Sequence, residues 1–194
     1  MTTTTTTDKT RMTPARFLRE LGQGRYFFRD LIIDGPVTIR NFTDRAIGLE
    51  DVDLMGDLTL EGVGLGDLRL RRVQGKGVHV NSSTFENVQL ENCTVDWLTL
   101  LHSTLRGELV VLDTAVTGTL CIDATAVKGD LLIGSSLLTR TKVVSNLVLV
   151  KATVEGDIRV ADPVLALTCS LYFGKRVSLP AAEIRALLRS LVRC

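Results

Sequence analysis

Between Val37 and Val160 apolar side chains recur as pairs two residues apart, and the pairs advance by about five residues. They run Val37/Ile39, Ile47/Leu49, Val52/Leu54, Leu58/Leu60, Val63/Leu65, Leu68/Leu70, Val78/Val80, Ser83/Phe85, Val88/Leu90, Cys93/Val95, Leu98/Leu100 and Ser103/Leu105. They continue as Leu109/Val111, Thr114/Val116, Leu120/Ile122, Thr125/Val127, Leu131/Ile133, Ser136/Leu138, Thr141/Val143, Leu147/Leu149, Ala152/Val154 and Ile158/Val160. Two slots are weak, Val73 with Gly75 and Phe42 with Asp44. An amphipathic helix spaces its apolar stripe by three and four, and a flat antiparallel sheet breaks phase at each hairpin. A five-residue step with two inward side chains means one short extended face and one corner, repeated. The pattern predicts an all-β solenoid of about five-residue faces, four to a coil.

The pattern also divides the chain. Residues 1–12, rich in threonine, read as a disordered tail. Residues 13–30 read as an N-terminal cap built on a short amphipathic helix, with Thr13 as N-cap and Pro14 at its first position. Phe17, Leu18 and Leu21 share one face of it, and Gly22 and Gly24 end it. The β-solenoid occupies residues 31–165, and residues 166–194 add a last strand and a C-terminal amphipathic helix. That helix starts at Ser178 and Pro180 and carries a stripe of Ile184, Leu187, Leu188 and Leu191. The stripe suits a lid on the final coil, a dimer interface or a membrane-surface helix.

Composition narrows the picture. The 194 residues are 45% hydrophobic but only 5% aromatic, as a narrow interior of Leu, Val and Ile requires. No apolar run is long enough to span a membrane, and the N-terminus lacks the apolar stretch of a secretion signal. Four cysteines (Cys93, Cys121, Cys169, Cys194) without CxxC spacing point to a reduced, cytoplasmic protein. Net charge is +1, with −5 confined to residues 31–100, too mild a bias for direct nucleic-acid binding.

The inward pair with its five-residue step, together with RFLRELGQGRYFFRDLI at residues 16–32, resembles the pentapeptide-repeat proteins. The resemblance covers roughly residues 14–165. It implies a right-handed quadrilateral β-helix with the central residue of each repeat inside. Two features depart from that family: large residues precede the central one on every second face, and many steps after Val111 are six. Gly107, Gly118, Gly129 and Gly156 sit in the longer corners, where glycine accepts positive φ. Coils rich in Gly-Asp-Leu are also similar to the bactofilin-like polymer-forming β-helices.

Candidate chemistry is sparse. Residues four faces apart stack, which aligns Asp67, Asn87, Glu108, Asp130 and Lys151 in one exterior column. The column reads either as an acidic groove for a cation or basic partner, or as corner side chains bonded to the turn backbone. Trp97 takes an outward slot and is the candidate contact residue of the wall. Arg69, Arg71 and Arg72, with Lys76, form the basic cluster of the body, either a solvated face or an anion site. His79 and His102 are two, not the three ligands of a trimeric zinc solenoid. No nucleophile elbow, phosphate loop or dinucleotide fingerprint is present. The expectation is a protein that is not an enzyme and uses no cofactor. It would be a binding or scaffold module acting through protein partners and self-associating through the C-terminal helix. The family resemblance adds two alternatives, a DNA-gyrase modulator and a polymer-forming cytoskeletal solenoid.

Overall fold

Stacking of like on like organises the chain. The computed structural model describes residues 9–134 and 144–160, and the backbone of 164–173 and 177–178. Extended segments lie parallel and in register, each on the segment one coil earlier: Val37–Arg40 under Leu58–Glu61, then Gln74–Asn81, Thr94–Leu101, Ala115–Asp123 and Val144–Val154. The result is a β-solenoid of about six turns. Parallel ladders leave both neighbours of every inner rung hydrogen-bonded, so apolar side chains can fill the interior without orphaning backbone groups.

Four inward pairs define four walls. The first wall stacks Val37/Ile39, Leu58/Leu60, Val78/Val80, Leu98/Leu100, Leu120/Ile122 and Leu147/Leu149. The second runs from Val63/Leu65 to Ala152/Val154, the third from Ile47/Leu49 to Ile158/Val160, and the fourth from Leu31/Ile33 through Cys93/Val95 to Thr114/Val116. Each inward pair of the sequence pattern among the described residues is buried, none more than 5% exposed. Of the weak slots, Val73 is fully buried, Phe42 packs partly against the core, and Asp44 receives a hydrogen bond from the Tyr26 hydroxyl.

Two corners per coil place a residue in the left-handed region. One column holds Asn41, Gly62, Ser82, His102, Ala124 and Lys151, and the other Asp30, Asp51, Arg72, Asn92 and Asp113. The first stacks through its own ladder, with Asn41 N donating to Glu61 O at 3.1 Å and Ser82 N to Leu101 O at 3.0 Å. Inward hydroxyls follow these corners. Ser83 Oγ accepts from Val63 N at 3.0 Å, Ser103 Oγ from Ser83 N at 3.2 Å, and Thr125 Oγ1 from Ser103 N at 3.2 Å. Each also donates to the carbonyl two residues back. Small polar residues are therefore tolerated inside because the corner offers them both a donor and an acceptor.

Three expectations change. Thr10–Met12 form a strand on Leu31–Ile33 with Met12 buried, so the tail reading extends too far. The glycines of the long corners do not take positive φ. They are needed for close approach: a Cβ on Gly129 would lie 2.7 Å from the Gly107 carbonyl, one coil away. The third change concerns phase. Ser136/Leu138 and Thr141/Val143 lie outside the described residues, but beyond them Val144, not Val143, stacks on Val116 and is buried. The coil step grows accordingly from 20 residues at Asp67–Asn87 to 27 at Asp130–Asp157.

At the start of the chain a helix runs Pro14–Gly22. Thr13 Oγ1 accepts from Arg16 N at 3.3 Å, and Pro14 stands where its missing N–H costs nothing. Phe17 and Leu21 are buried and the Phe17 ring lies 4.3 Å from Phe28, whereas Leu18 points out. The C-terminal stripe Ile184, Leu187, Leu188 and Leu191 lies outside the described residues.

Candidate functional site

With the interior filled, function has to reside on the outward positions, which stack as columns in the same register. On the third wall Arg29, Glu50, Arg71 and Glu91 follow one another directly, an alternating ladder of charge. Glu50 is its centre. It pairs with Arg29, with Arg72 at 2.6 Å and with Arg71 at 3.5 Å, and it is only 7% exposed. The Arg29 guanidinium first, and Arg72 after it, hold the Glu50 carboxyl below the usual range against the opposing effect of burial. Arg72 also grips Asp51 through Nε at 2.6 Å and Nη2 at 2.7 Å, which lowers the Asp51 pKa and raises its own. Lys9 closes the cluster on Asp53 at 2.6 Å.

This network answers the basic cluster read from the sequence. Arg69 donates to Asp67 at 2.7 Å, Arg71 lies between Glu50 and Glu91, and Arg72 is taken by Glu50 and Asp51. Three arginines adjacent in sequence are thus each paired with an acid one coil or two residues away. The ladder was legible in principle, since Arg29, Glu50, Arg71 and Glu91 recur at the coil step. Charges scattered over sixty residues give no local signal, and the register is needed to align them.

The acidic column is also a set of corner contacts. Asn87 Nδ2 donates to Asp67 at 2.9 Å, and Asn87 Oδ1 accepts from Glu108 N at 3.0 Å. Asp130 Oδ1 accepts from Asp157 N at 2.8 Å. Asp157, not Lys151, completes the column, because the longer last coil moves Lys151 into a left-handed corner. Asn87 and Asp130 therefore serve the turn backbone, Asp67 is bonded to the Asn87 and Arg69 side chains, and among the described residues no group of three or more His, Cys, Asp or Glu is placed to hold a metal ion.

Trp97 is half exposed, at 48%, on the edge between the fourth and first walls. It stacks on Gly77, and a Cβ on Gly118 would lie 3.3 Å from its ring. Gly118 therefore leaves room for the indole along the edge, whereas a Cβ on Gly77 would meet His79 Nε2 at 2.5 Å. Met55, 56% exposed, is on the same edge two coils earlier. His79 shares a hydrogen bond with Thr99 Oγ1 at 3.0 Å, and His102 is an exposed corner residue. A shallow groove of about 320 Å³ lies over Gly64 and Gly66 on the second wall, between Asp44 and the Glu86–Arg106 pair. Cys93 is buried, with its Sγ donating to Leu70 O at 3.3 Å, and burial raises the pKa of the Cys121 thiol.

These features define a β-solenoid repeat protein whose wall charges are largely paired coil to coil. Among the described residues no helix is long and apolar enough to cross a membrane. Comparison of the chain with protein-family models, curated proteins and solved structures returns no match.

Proposed function

We propose that this chain is a non-catalytic binding or scaffold module, a pentapeptide-repeat-like solenoid that acts through protein–protein contacts on its outer wall. The observation that carries this reading is the half-exposed Trp97, laid along an edge between Gly77 and Gly118 with Met55 nearby. A large aromatic held on a rigid wall gives contact area at little cost in conformational entropy, the usual anchor of a protein interface. The gyrase-modulator alternative is disfavoured on electrostatics. A DNA-mimicking rod presents unpaired acid, whereas Glu50, Asp51, Glu61, Asp67 and Glu86 are all ion-paired to arginine.

A photoreactive amino acid at Met55, introduced in the cell of origin, tests the reading. A discrete protein adduct that disappears with Trp97→Ala, while the circular dichroism of the variant is unchanged, is the expected result. Adducts indifferent to Trp97→Ala, or none, would overturn the assignment of this edge.

A further inference from the structure

One rung of the second wall is bare. Its first outward column runs Thr43, Gly64, Thr84, Thr104, Ala126 and Thr153, so a side chain is missing only at Gly64. Backbone geometry does not call for that glycine. It does not take positive φ, and a Cβ there would meet nothing nearer than the Thr43 side chain at 3.5 Å, an ordinary contact. Gly66 is different, since a Cβ on it would lie 2.0 Å from Arg45 O. The two glycines floor the groove of about 320 Å³, with Thr43 and Asp44 on one rim and Thr84, Glu86 and Arg106 on the other. A glycine inside a strand gives up side-chain packing and conformational entropy. Where sterics do not require it, the space it leaves needs another reason.

Asp44 supplies one. Its hydrogen-bond donors are neutral, the Tyr26 hydroxyl first and then Arg45 N at 2.6 Å. They hold its carboxyl below the usual carboxylate range against the opposing effect of burial, and the Arg45 charge contributes least. Glu61, Asp67 and Glu86 instead each meet an arginine, at 2.7, 2.7 and 3.2 Å. Glu86 and Arg106 cancel, so the lining of the groove carries one net negative charge, that of Asp44. We infer that the groove binds a single alkylammonium or guanidinium group, seated on Asp44 with its stem lying across Gly64. Thr43 and Thr84 flank that path one strand away on either side, about 4.8 Å, and their hydroxyls accept the remaining N–H donors. Lysine and arginine side chains of another protein carry such a cation, and so do free amines and guanidines. The groove opens on the second wall, whereas Trp97 stands on the edge between the fourth and first. Either reading can therefore fail without the other.

Backbone amide shifts of the isotope-labelled full chain test it, read at Gly66 and Thr84 during titration with butylammonium and with butylguanidinium. Both cations should give shifts that saturate by about 10 mM, as a weak single-group site requires, and uncharged butanol should give none. Asp44→Asn, which keeps the shape, should weaken binding at least tenfold. Gly64→Thr completes the threonine column and should do the same, while the melting temperature holds or rises. Arg106→Ala frees Glu86 and should tighten binding severalfold. Acetyl-Gly-Arg-Gly-amide separates the two sources of the cation. A gain of tenfold or more over butylguanidinium assigns it to a protein partner, and a smaller one to a free small molecule; either upholds the site. Butanol as effective as the cations, shifts that do not saturate, binding that survives Asp44→Asn or Gly64→Thr, or an Arg106→Ala variant that binds no tighter would each overturn it.

Discussion

The first four coils and the last two share one interior and differ on the outside. From Val37 to Leu100 the inward pairs are buried and mostly Val, Leu and Ile, and from Leu105 to Val160 the same holds. Outside, the early coils carry the Arg29–Glu50–Arg71–Glu91 ladder with an even step of 20 or 21 residues. The late coils carry Val110, Leu112 and Leu132, and the step lengthens to 22 and then 27. Burial constrains the inside of every coil equally. The outside is free to vary, and it is there that one coil is made different from another.

The strongest way to break the comparison is in the core. Leu100→Ala in the early coils and Ile122→Ala in the late ones should each cost about 2–5 kcal/mol, because a narrow interior cannot collapse around the space left. Urea denaturation of the two variants checks it. A much cheaper change in the late coils would show that their interior is looser than their burial implies.

Close approach comes next. Gly129→Ala sets a methyl 2.7 Å from the backbone of Gly107, where no side chain can swing aside. It should cost about 1–3 kcal/mol by the same denaturation curves. Gly22, with nothing within 4 Å of its Cβ position, is the control and should be far more tolerant.

Acid sharpens the contrast between the two outer surfaces. The Glu50 pKa is lowered in the folded chain, so its ion pairs contribute stability that is complete above the ordinary carboxylate value of 4.5. That contribution is lost as pH falls from there towards the depressed value. Glu50→Gln should lower the melting temperature at pH 7 and flatten its decline below pH 4.5. A variant with an unchanged acid profile would show that the ladder is not what acid breaks.

The smallest effect is expected at outward polar positions. Thr99→Ala loses one half-exposed hydrogen bond to His79 and should stay within about 0.5 kcal/mol. Parity between Thr99→Ala and Leu100→Ala would mean the register is wrong.

What could be read from the chain alone was the phase. Alternation two residues wide and five residues long is a local property, and the energy of burying Leu and Val enforces it at each face independently. Hence Ser83, Ser103 and Thr125 could be placed inside from spacing, and Thr13 and Pro14 could mark a helix start. The tertiary structure decided which outward residue meets which, since that depends on corner lengths summed over a whole coil. One long coil was enough to replace Lys151 by Asp157 above Asp130 and to put Val144 where the count gave Val143. The Glu50 cluster and the apolar rows at Leu112 and Leu132 arise in the same way. Charges and methyl groups twenty residues apart have no relation until parallel stacking sets them side by side.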